Sequence, residues 1–135
     1  FKGISHIPFE GVDSKNLLSF QYYEQDRLVA GKPMKEWLRF ACAYWHSFCA
    51  TGTDPFGEAT IIRQWNKSTD PLQRAKDKAD AAFEFMTKLG LSYYCFHDVD
   101  IVDLTTDIQE NERRLEIMTK YLYQKQQASG IKLLW

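Results

Sequence analysis

The sequence predicts an α/β fold in which parallel strands are joined by helices. A glycine followed by an apolar run occurs twice, as Gly90-Leu-Ser-Tyr-Tyr-Cys95 and as Gly130-Ile-Lys-Leu-Leu-Trp135. Each run follows a stretch whose apolar residues have helical spacing. A third apolar run precedes both, so the order is strand, helix, strand, helix, strand. Strands joined in this way run parallel.

Composition and charge place the chain among globular proteins of one domain. It has 135 residues, of which 44% are hydrophobic, and a formal net charge of -1 at pH 7. Nucleic acids and anionic membranes favour basic surfaces, so we expect neither as the main partner. The three cysteines form no CxxC pair, which predicts a reducing, cytoplasmic location. No apolar run approaches the roughly 20 residues that span a membrane.

Residues 1–32 lack a regular period and predict an irregular leader, whereas residues 33–135 predict the strands and helices. Pro33 suits the first position of a short helical turn that ends at Trp37. The apolar run from Leu38 to Trp45 then predicts a strand that is buried on both faces.

A loop rich in turn residues follows from His46 to Thr60 and presents the aromatic side chain of Phe56. Such a side chain either folds under its own loop, which is the commoner case, or inserts into another surface. The pattern of the loop alone leaves both alternatives open.

The first long helix has recognisable ends. Asp70 is a candidate N-cap, Pro71 suits the first helical position, and Gln73 is placed to reach back to the N-cap backbone. Gly90 is the expected C-terminal residue with positive φ. The predicted apolar stripe of this helix consists of Leu72, Ala75, Ala79, Ala82, Phe83, Met86 and Leu89.

The second long helix is expected to begin near Thr106, which resembles a capping box with Gln109, and to end at Gly130. Strands are predicted on either side of it, at Leu91–Phe96 and Ile131–Trp135. Three parallel strands leave open sheet edges, so we expect the chain to be part of a larger fold or to close its sheet against other chains. The predicted apolar stripe of the helix consists of Ile108, Leu115, Met118 and Leu122.

Polar side chains follow the strand Leu91–Phe96 at its carboxyl end. In folds of alternating strands and helices, catalytic side chains are usually placed there. His97 can transfer protons near neutral pH, and in a turn Asp100 can accept a hydrogen bond from one ring nitrogen. The pair predicts acid-base catalysis, and a local turn hydrogen bond is the alternative.

A metal site is a further hypothesis, because the dipeptide His97-Asp98 also occurs in metal-dependent phosphohydrolases. That class needs more histidine and aspartate ligands. Only His6 and His46 are available besides, and His46 follows the end of the first predicted strand. We therefore expect no complete metal site within this chain.

Five stretches follow one another along nearly the whole chain, and their order and spacing are more specific than any one of them. They are Trp37-Leu-Arg-Phe-Ala-Cys-Ala-Tyr-Trp-His-Ser-Phe-Cys49, Thr51-Gly-Thr-Asp-Pro-Phe-Gly57, Ala82-Phe-Glu-Phe85, Tyr94-Cys-Phe-His-Asp-Val-Asp-Ile101 and Gly130-Ile-Lys-Leu-Leu-Trp135. Together they resemble the xylose isomerases of class II, which have an extended amino terminus.

The resemblance implies that residues 1–135 are the amino-terminal portion of a single TIM-barrel domain, its first third, with three barrel strands, two outer helices and the leader. It implies isomerisation of D-xylose to D-xylulose, and of D-glucose to D-fructose, by a metal-assisted hydride shift after ring opening. The family holds two divalent ions, Mg²⁺, Mn²⁺ or Co²⁺, on later strands. This chain alone is therefore expected to bind no metal and to be inactive. A homotetramer is also implied.

The resemblance also implies roles for four residues. His97 would assist opening of the sugar at the ring oxygen, and Asp100 would orient and polarise the imidazole. Trp45 resembles the tryptophan that walls the sugar pocket. Phe56 resembles the aromatic residue that is lent to the pocket of a neighbouring subunit.

Two departures from the family pattern are expected to leave these residues in place. Many relatives have Arg-Pro-Trp where this chain has Arg63-Gln64-Trp65, and an acidic, glycine-bearing turn is replaced by Val102-Asp103-Leu104-Thr105. We expect the first to alter the rigidity of a loop and the second the start of the second helix. The alternative from another functional class is a non-catalytic fragment, designed or split, that associates with a complementary chain.

Overall fold

Helices alternate with short strands along the chain in the computed structural model, which describes residues 1–135. The elements are β1 (Leu28–Val29), β2 (Lys32–Pro33), α1 (Met34–Trp37), β3 (Ala41–Ala43), α2 (Pro71–Leu89), β4 (Tyr93–Cys95), α3 (Asp98–Ile101), α4 (Ile108–Ser129) and β5 (Lys132–Leu133). Three strands form a parallel sheet in the spatial order β3, β4, β5. This confirms the predicted parallel order and is compatible with part of a TIM barrel.

The structure adds a hairpin to the predicted leader. β1 and β2 pair antiparallel, with Leu28 opposite Pro33, and α1 supplies the helical turn that was expected to end at Trp37. The backbone N–H of Ile7 donates to the carbonyl of Lys88 at 2.7 Å. The leader is therefore attached to the end of α2.

β3 is shorter than the strand predicted over Leu38–Trp45. It covers only Ala41–Ala43, and Leu38 and Phe40 are about half exposed. After it the chain forms a π-helical turn, Trp45–Cys49. Within β3 Ala41 is exposed while Cys42 is buried, and the strand pairs on one side only, with β4. The expectation of a long strand buried on both faces is therefore wrong.

α2 begins and ends where the sequence predicts. The Asp70 side chain accepts a hydrogen bond from the backbone N–H of Leu72 at 3.0 Å, and Gly90 adopts a φ of 70°. The predicted capping box is wrong, because the Gln73 amide instead donates to the Asp77 carboxylate at 2.8 Å. The Asp77 carboxylate, one turn along the helix, accepts from the Gln73 amide and directs that side chain away from the N-cap.

α4 begins at a different cap from the predicted one. The Asp107 carboxylate accepts from the backbone N–H groups of Gln109 at 2.9 Å and Glu110 at 3.3 Å. The capping box of Thr106 is therefore wrong, because a carboxylate is the better acceptor at the positive end of a helix. Ile108 was predicted in the apolar stripe but is 73% exposed, because the first turn lies before the core.

The core lies between the sheet and the two long helices. Small alanines let α2 approach closely, and Tyr44 and Tyr94 bring large buried rings to the same core. No helix is both long enough and apolar enough to pass through a bilayer. The buried residues of the long helices, all of them from the predicted stripes, are Ala75, Ala79, Ala82, Phe83, Met86, Met118 and Leu122.

Candidate functional site

The carboxyl end of each parallel strand is followed by a side chain with a ring. Trp45, His97 and Trp135 are each the second residue after β3, β4 and β5, respectively. The ring centroid of Trp45 lies 4.7 Å from that of His97 and 5.6 Å from that of Trp135. His97 and Trp135 are also 5.6 Å apart. Because parallel strands end at one edge of the sheet, residues distant in sequence meet here. We call these three residues the ring cluster.

Asp100 holds His97 through two hydrogen bonds to one carboxylate oxygen. Oδ2 of Asp100 accepts from the backbone N–H of His97 at 2.8 Å and lies 2.9 Å from Nδ1 of the imidazole. His97 is the N-cap of α3, and Asp100 is the third residue of that helix. A single helical turn therefore sets the distance, which confirms the predicted hydrogen bond.

The two side chains of the pair differ in exposure. The Asp100 side chain is 8% exposed, whereas that of His97 is 51% exposed. A buried carboxylate needs donors, so Nδ1 carries the hydrogen of this contact. Nε2 is then the ring nitrogen that the contact with Asp100 leaves unused.

A thiol and an ammonium group lie behind Asp100. The Cys49 thiol donates to the backbone carbonyl of Asp100, with 3.4 Å between sulfur and oxygen, and Nζ of Lys78 lies 3.6 Å from the same sulfur. Burial raises the pKa of the Cys49 thiol, and the charge of Lys78 opposes this shift. The thiol therefore stays protonated near neutral pH and can donate to Asp100.

Phe56 lies apart from the ring cluster. Its side chain is 97% exposed, at a turn where its backbone N–H donates to the Asp54 carboxylate at 2.8 Å. The base of the loop is closed by backbone hydrogen bonds from Thr60 and Ile61 to the carbonyl of Thr51. The alternative in which Phe56 folds under its own loop is therefore wrong. Its insertion into another surface stays a prediction.

Sequence reasoning missed Trp135 as a neighbour of the predicted pair. Its position in the sequence could have indicated this contact, because Trp135 follows its strand at the same distance as Trp45 and His97 follow theirs. The contact between Cys49 and Asp100 had no local signal, because it joins two segments that only the folded sheet brings together.

Nowhere in the chain do three His, Cys, Asp or Glu side chains lie close enough together to hold a metal ion. The Asp100 carboxylate is engaged by His97, and the ring of His46 lies 5.7 Å from that of Trp45. The residues of this chain do not fit the divalent ions that the family resemblance implies.

Comparison with known proteins gives relatives that match the chain over all 135 residues. "Xylose isomerase" of Bacteroides thetaiotaomicron is 53% identical to it, and the match covers 31% of that protein. "Xylose isomerase" of Bacteroides fragilis is 51% identical, with 31% covered, and "Xylose isomerase 1" of Xanthomonas campestris pv. campestris is 53% identical, with 30% covered. No protein-family model matches the chain.

The similarity extends across every element described above, because no part of the chain lies outside the matched residues. The chain spans a little under a third of the length of these relatives. The chain is therefore a homologue of the xylose isomerases along its whole length and corresponds to an amino-terminal fragment of them.

Proposed function

We propose that residues 1–135 are the first part of a single TIM-barrel domain and that the full-length protein is a xylose isomerase. It would convert D-xylose to D-xylulose and D-glucose to D-fructose. The observation that carries this proposal is the hydrogen-bonded pair of His97 and Asp100 beside Trp45, at the carboxyl ends of parallel strands. The names of the relatives support the substrate class.

The proposed task of His97 is to open the cyclic sugar. In its protonated form Nε2 donates a hydrogen to the ring oxygen while the bond from that oxygen to C1 breaks. The hydroxyl on C1 releases its proton to water as the carbonyl forms, so the step yields an open-chain aldose. The Asp100 carboxylate lies 2.9 Å from Nδ1 and fixes the orientation of the imidazole, which makes Asp100 the proposed orienting residue.

The proposed task of Trp45 is to form a wall of the sugar pocket, and the ring cluster adds Trp135 as a second wall. Indole faces pack against the C–H groups of a sugar and leave little room for water. A dry site protects a migrating hydrogen from exchange with solvent and strengthens the electrostatic contacts around it.

The hydride shift is assigned to parts of the protein outside residues 1–135. Divalent ions such as Mg²⁺, Mn²⁺ or Co²⁺ polarise sugar oxygens when bound, and no group of ligands in this chain fits them. We therefore expect no turnover when the purified 135-residue chain is assayed with D-xylose and Mg²⁺. Measurable turnover would refute this assignment.

Phe56 is proposed to enter the pocket of a neighbouring subunit in a homotetramer. The support is its exposure of 97% on a loop whose base is hydrogen-bonded. Burying such a ring stabilises an assembly by roughly 1.5–3 kcal/mol. An aromatic side chain held outward in this way is suited to a partner surface.

The decisive experiment compares a ring-forming sugar with an aldose that cannot close a ring. We expect His97→Asn in the full-length protein to lower kcat/KM for D-xylose by about 10²–10⁴-fold. With D-glyceraldehyde, which is already open, the loss should be much smaller. His6→Asn, in the leader, is the matched control. An equal loss with both substrates would show that His97 does not open the ring, and an inactive wild-type protein would refute the isomerase itself.

A further inference from the structure

The turn that carries Asp100 is too short to keep its own shape. α3 has four residues, and an isolated helix of that length is unstable. Ile101 and Val102 are buried at its end, 4% and 1% exposed. Apolar burial is not directional, so it fixes the depth of the turn but leaves the orientation of its backbone to other contacts.

Two arginines from two helices hold Asp103, directly after this turn. Nη2 of Arg74 on α2 donates to the Asp103 carboxylate at 2.5 Å, and Nη1 of Arg114 on α4 donates to the Asp103 carbonyl at 2.7 Å. The side chain and the backbone of one residue are thus held from two directions. We call Arg74, Asp103 and Arg114 the Asp103 clamp.

Each arginine of the clamp is fixed by further hydrogen bonds. Nη1 of Arg74 donates to the carbonyls of Ser68 at 2.9 Å and Thr69 at 3.0 Å. Nε of Arg114 donates to the Glu110 carboxylate at 2.8 Å, and the Arg114 side chain is only 14% exposed. The planar guanidinium group carries several N–H donors, so one arginine can bind two segments at once. Arg74 therefore links Asp103 to the residues just before α2, and Arg114 links it to the first turn of α4.

We propose that Arg74 and Arg114 are positioning residues that act through Asp103 to keep the Asp100 carboxylate against Nδ1 of His97. The proposal rests on the proposed function for its effect on catalysis. The Arg74 ion pair is partly exposed, and pairs of this kind contribute little to stability. The clamp is therefore expected to affect the geometry of the site more than the stability of the fold.

The test uses the full-length protein with Arg74→Gln and Arg114→Gln. Misplacing a catalytic group by about 1 Å costs up to about 100-fold, so we expect kcat with D-xylose to fall roughly 10- to 100-fold while KM changes little. Arg74→Lys should recover part of the loss, because an ammonium group can still pair with the Asp103 carboxylate but cannot reproduce the divided contacts of the guanidinium. Arg113→Gln is the matched control, since Arg113 donates to Glu110 but makes no contact with Asp103.

A second measurement reads the position of the pair directly. The hydrogen-bonded Nδ1–H proton of His97 is followed by NMR and identified by its absence in His97→Asn. We expect its signal to be lost in both glutamine variants and retained in Arg113→Gln. Asp103→Asn keeps the backbone carbonyl that Arg114 uses, so we expect a partial loss of the proton signal. This variant replaces the glutamine variants if either of them fails to fold.

The two measurements separate failure of this inference from failure of the proposed function. Persistence of the proton signal in both glutamine variants, or kcat values equal to that of Arg113→Gln, would overturn the clamp. An inactive wild-type protein would refute the isomerase, while the NMR signal would still decide whether Arg74 and Arg114 hold His97 and Asp100 together.

Discussion

Trp45 and Trp135 bring their indole rings to a centroid distance of 5.6 Å, although the strands that precede them are not neighbours in the sheet. β4 lies between those strands, and His97 at its end contacts both indoles. Three consecutive strands therefore contribute one ring each to the same small region. The contact between the two indoles is a property of the folded sheet and can be measured without substrate.

The first prediction concerns this indole pair. Transitions of two indoles at this distance couple, so we expect Trp135→Phe in the full-length protein to remove a paired band from the circular dichroism difference spectrum. Trp45→Phe should remove the same band. Trp37→Phe is the control, because that indole is half exposed and donates to the Val29 carbonyl instead. A band that survives the loss of Trp135 would contradict the arrangement.

The second prediction concerns the loop of Phe56. If the ring serves a neighbouring subunit, a subunit with Phe56→Ala and one with His97→Asn each lack a different part of a shared pocket. Mixed assemblies should then contain some intact pockets, and isomerase activity should recover to a fraction of the wild-type value. Refolding the two variants together and assaying D-xylose turnover checks this.

Two controls accompany the mixing experiment. Each variant refolded alone should keep its own low activity. Phe56→Tyr, which keeps the aromatic ring, should be active without mixing with a second variant. Mixtures no more active than the separate variants would place Phe56 at the pocket of its own subunit.

The third prediction concerns pH and the contact between the long helices. The Tyr121 hydroxyl on α4 donates to the Asp80 carboxylate on α2 at 2.7 Å, and burial together with Asp80 raises the pKa of Tyr121 to about 12. The usual value is 10.0. Because the folded value is the higher one, this stabilisation is complete below pH 10 and is lost as the pH rises to about 12.

We therefore expect the Tm of the wild-type protein to fall between pH 10 and about 12 more steeply than that of Tyr121→Phe. At neutral pH the variant should be less stable by about 1 kcal/mol, the value of one hydrogen bond. Tyr123→Phe is the control, since the Tyr123 side chain is mostly exposed. Parallel Tm curves for all three proteins would argue against the bond to Asp80.

The fourth prediction compares two glycines. Gly90 ends α2 with a φ of 70°, and an added Cβ would approach Cε1 of His6 at 3.3 Å. Gly90→Ala should therefore lower the free energy of unfolding by about 1–2 kcal/mol in urea titrations. Gly57→Ala should change it by less than about 0.5 kcal/mol, because nothing lies within 4 Å of the added atom. Equal effects would mean that the αL turn is not required at Gly90.

The features that the sequence predicted well are those that depend on near neighbours. Asp70 and Gly90 define the ends of α2 because a cap involves only the adjoining turn. The bond between His97 and Asp100 was predictable for the same reason, since three residues of one turn set its length. The catalytic role of the pair remains a proposal, because the hydrogen bond also stabilises the turn itself.

The features that the sequence did not predict depend on partners distant in the chain. The length of β3 depends on a single neighbouring strand, and the role of Trp135 in the ring cluster depends on the order of three strands. The cap of α4 is an exception of another kind, because Asp107 and Thr106 are both good caps and the stronger acceptor is used.

The contacts of Trp45 and Cys49 depend on the number of residues in the π-helical turn Trp45–Cys49, which joins β3 to the loop of Phe56. A deletion within it would let the turn contract to α-helical spacing, in which each residue rotates by about 100°. The indole of Trp45 and the thiol of Cys49 could not then both keep their partners. The exposed His46 can be exchanged for other side chains, but shortening the segment by one residue would separate either the indole from His97 or the thiol from Asp100.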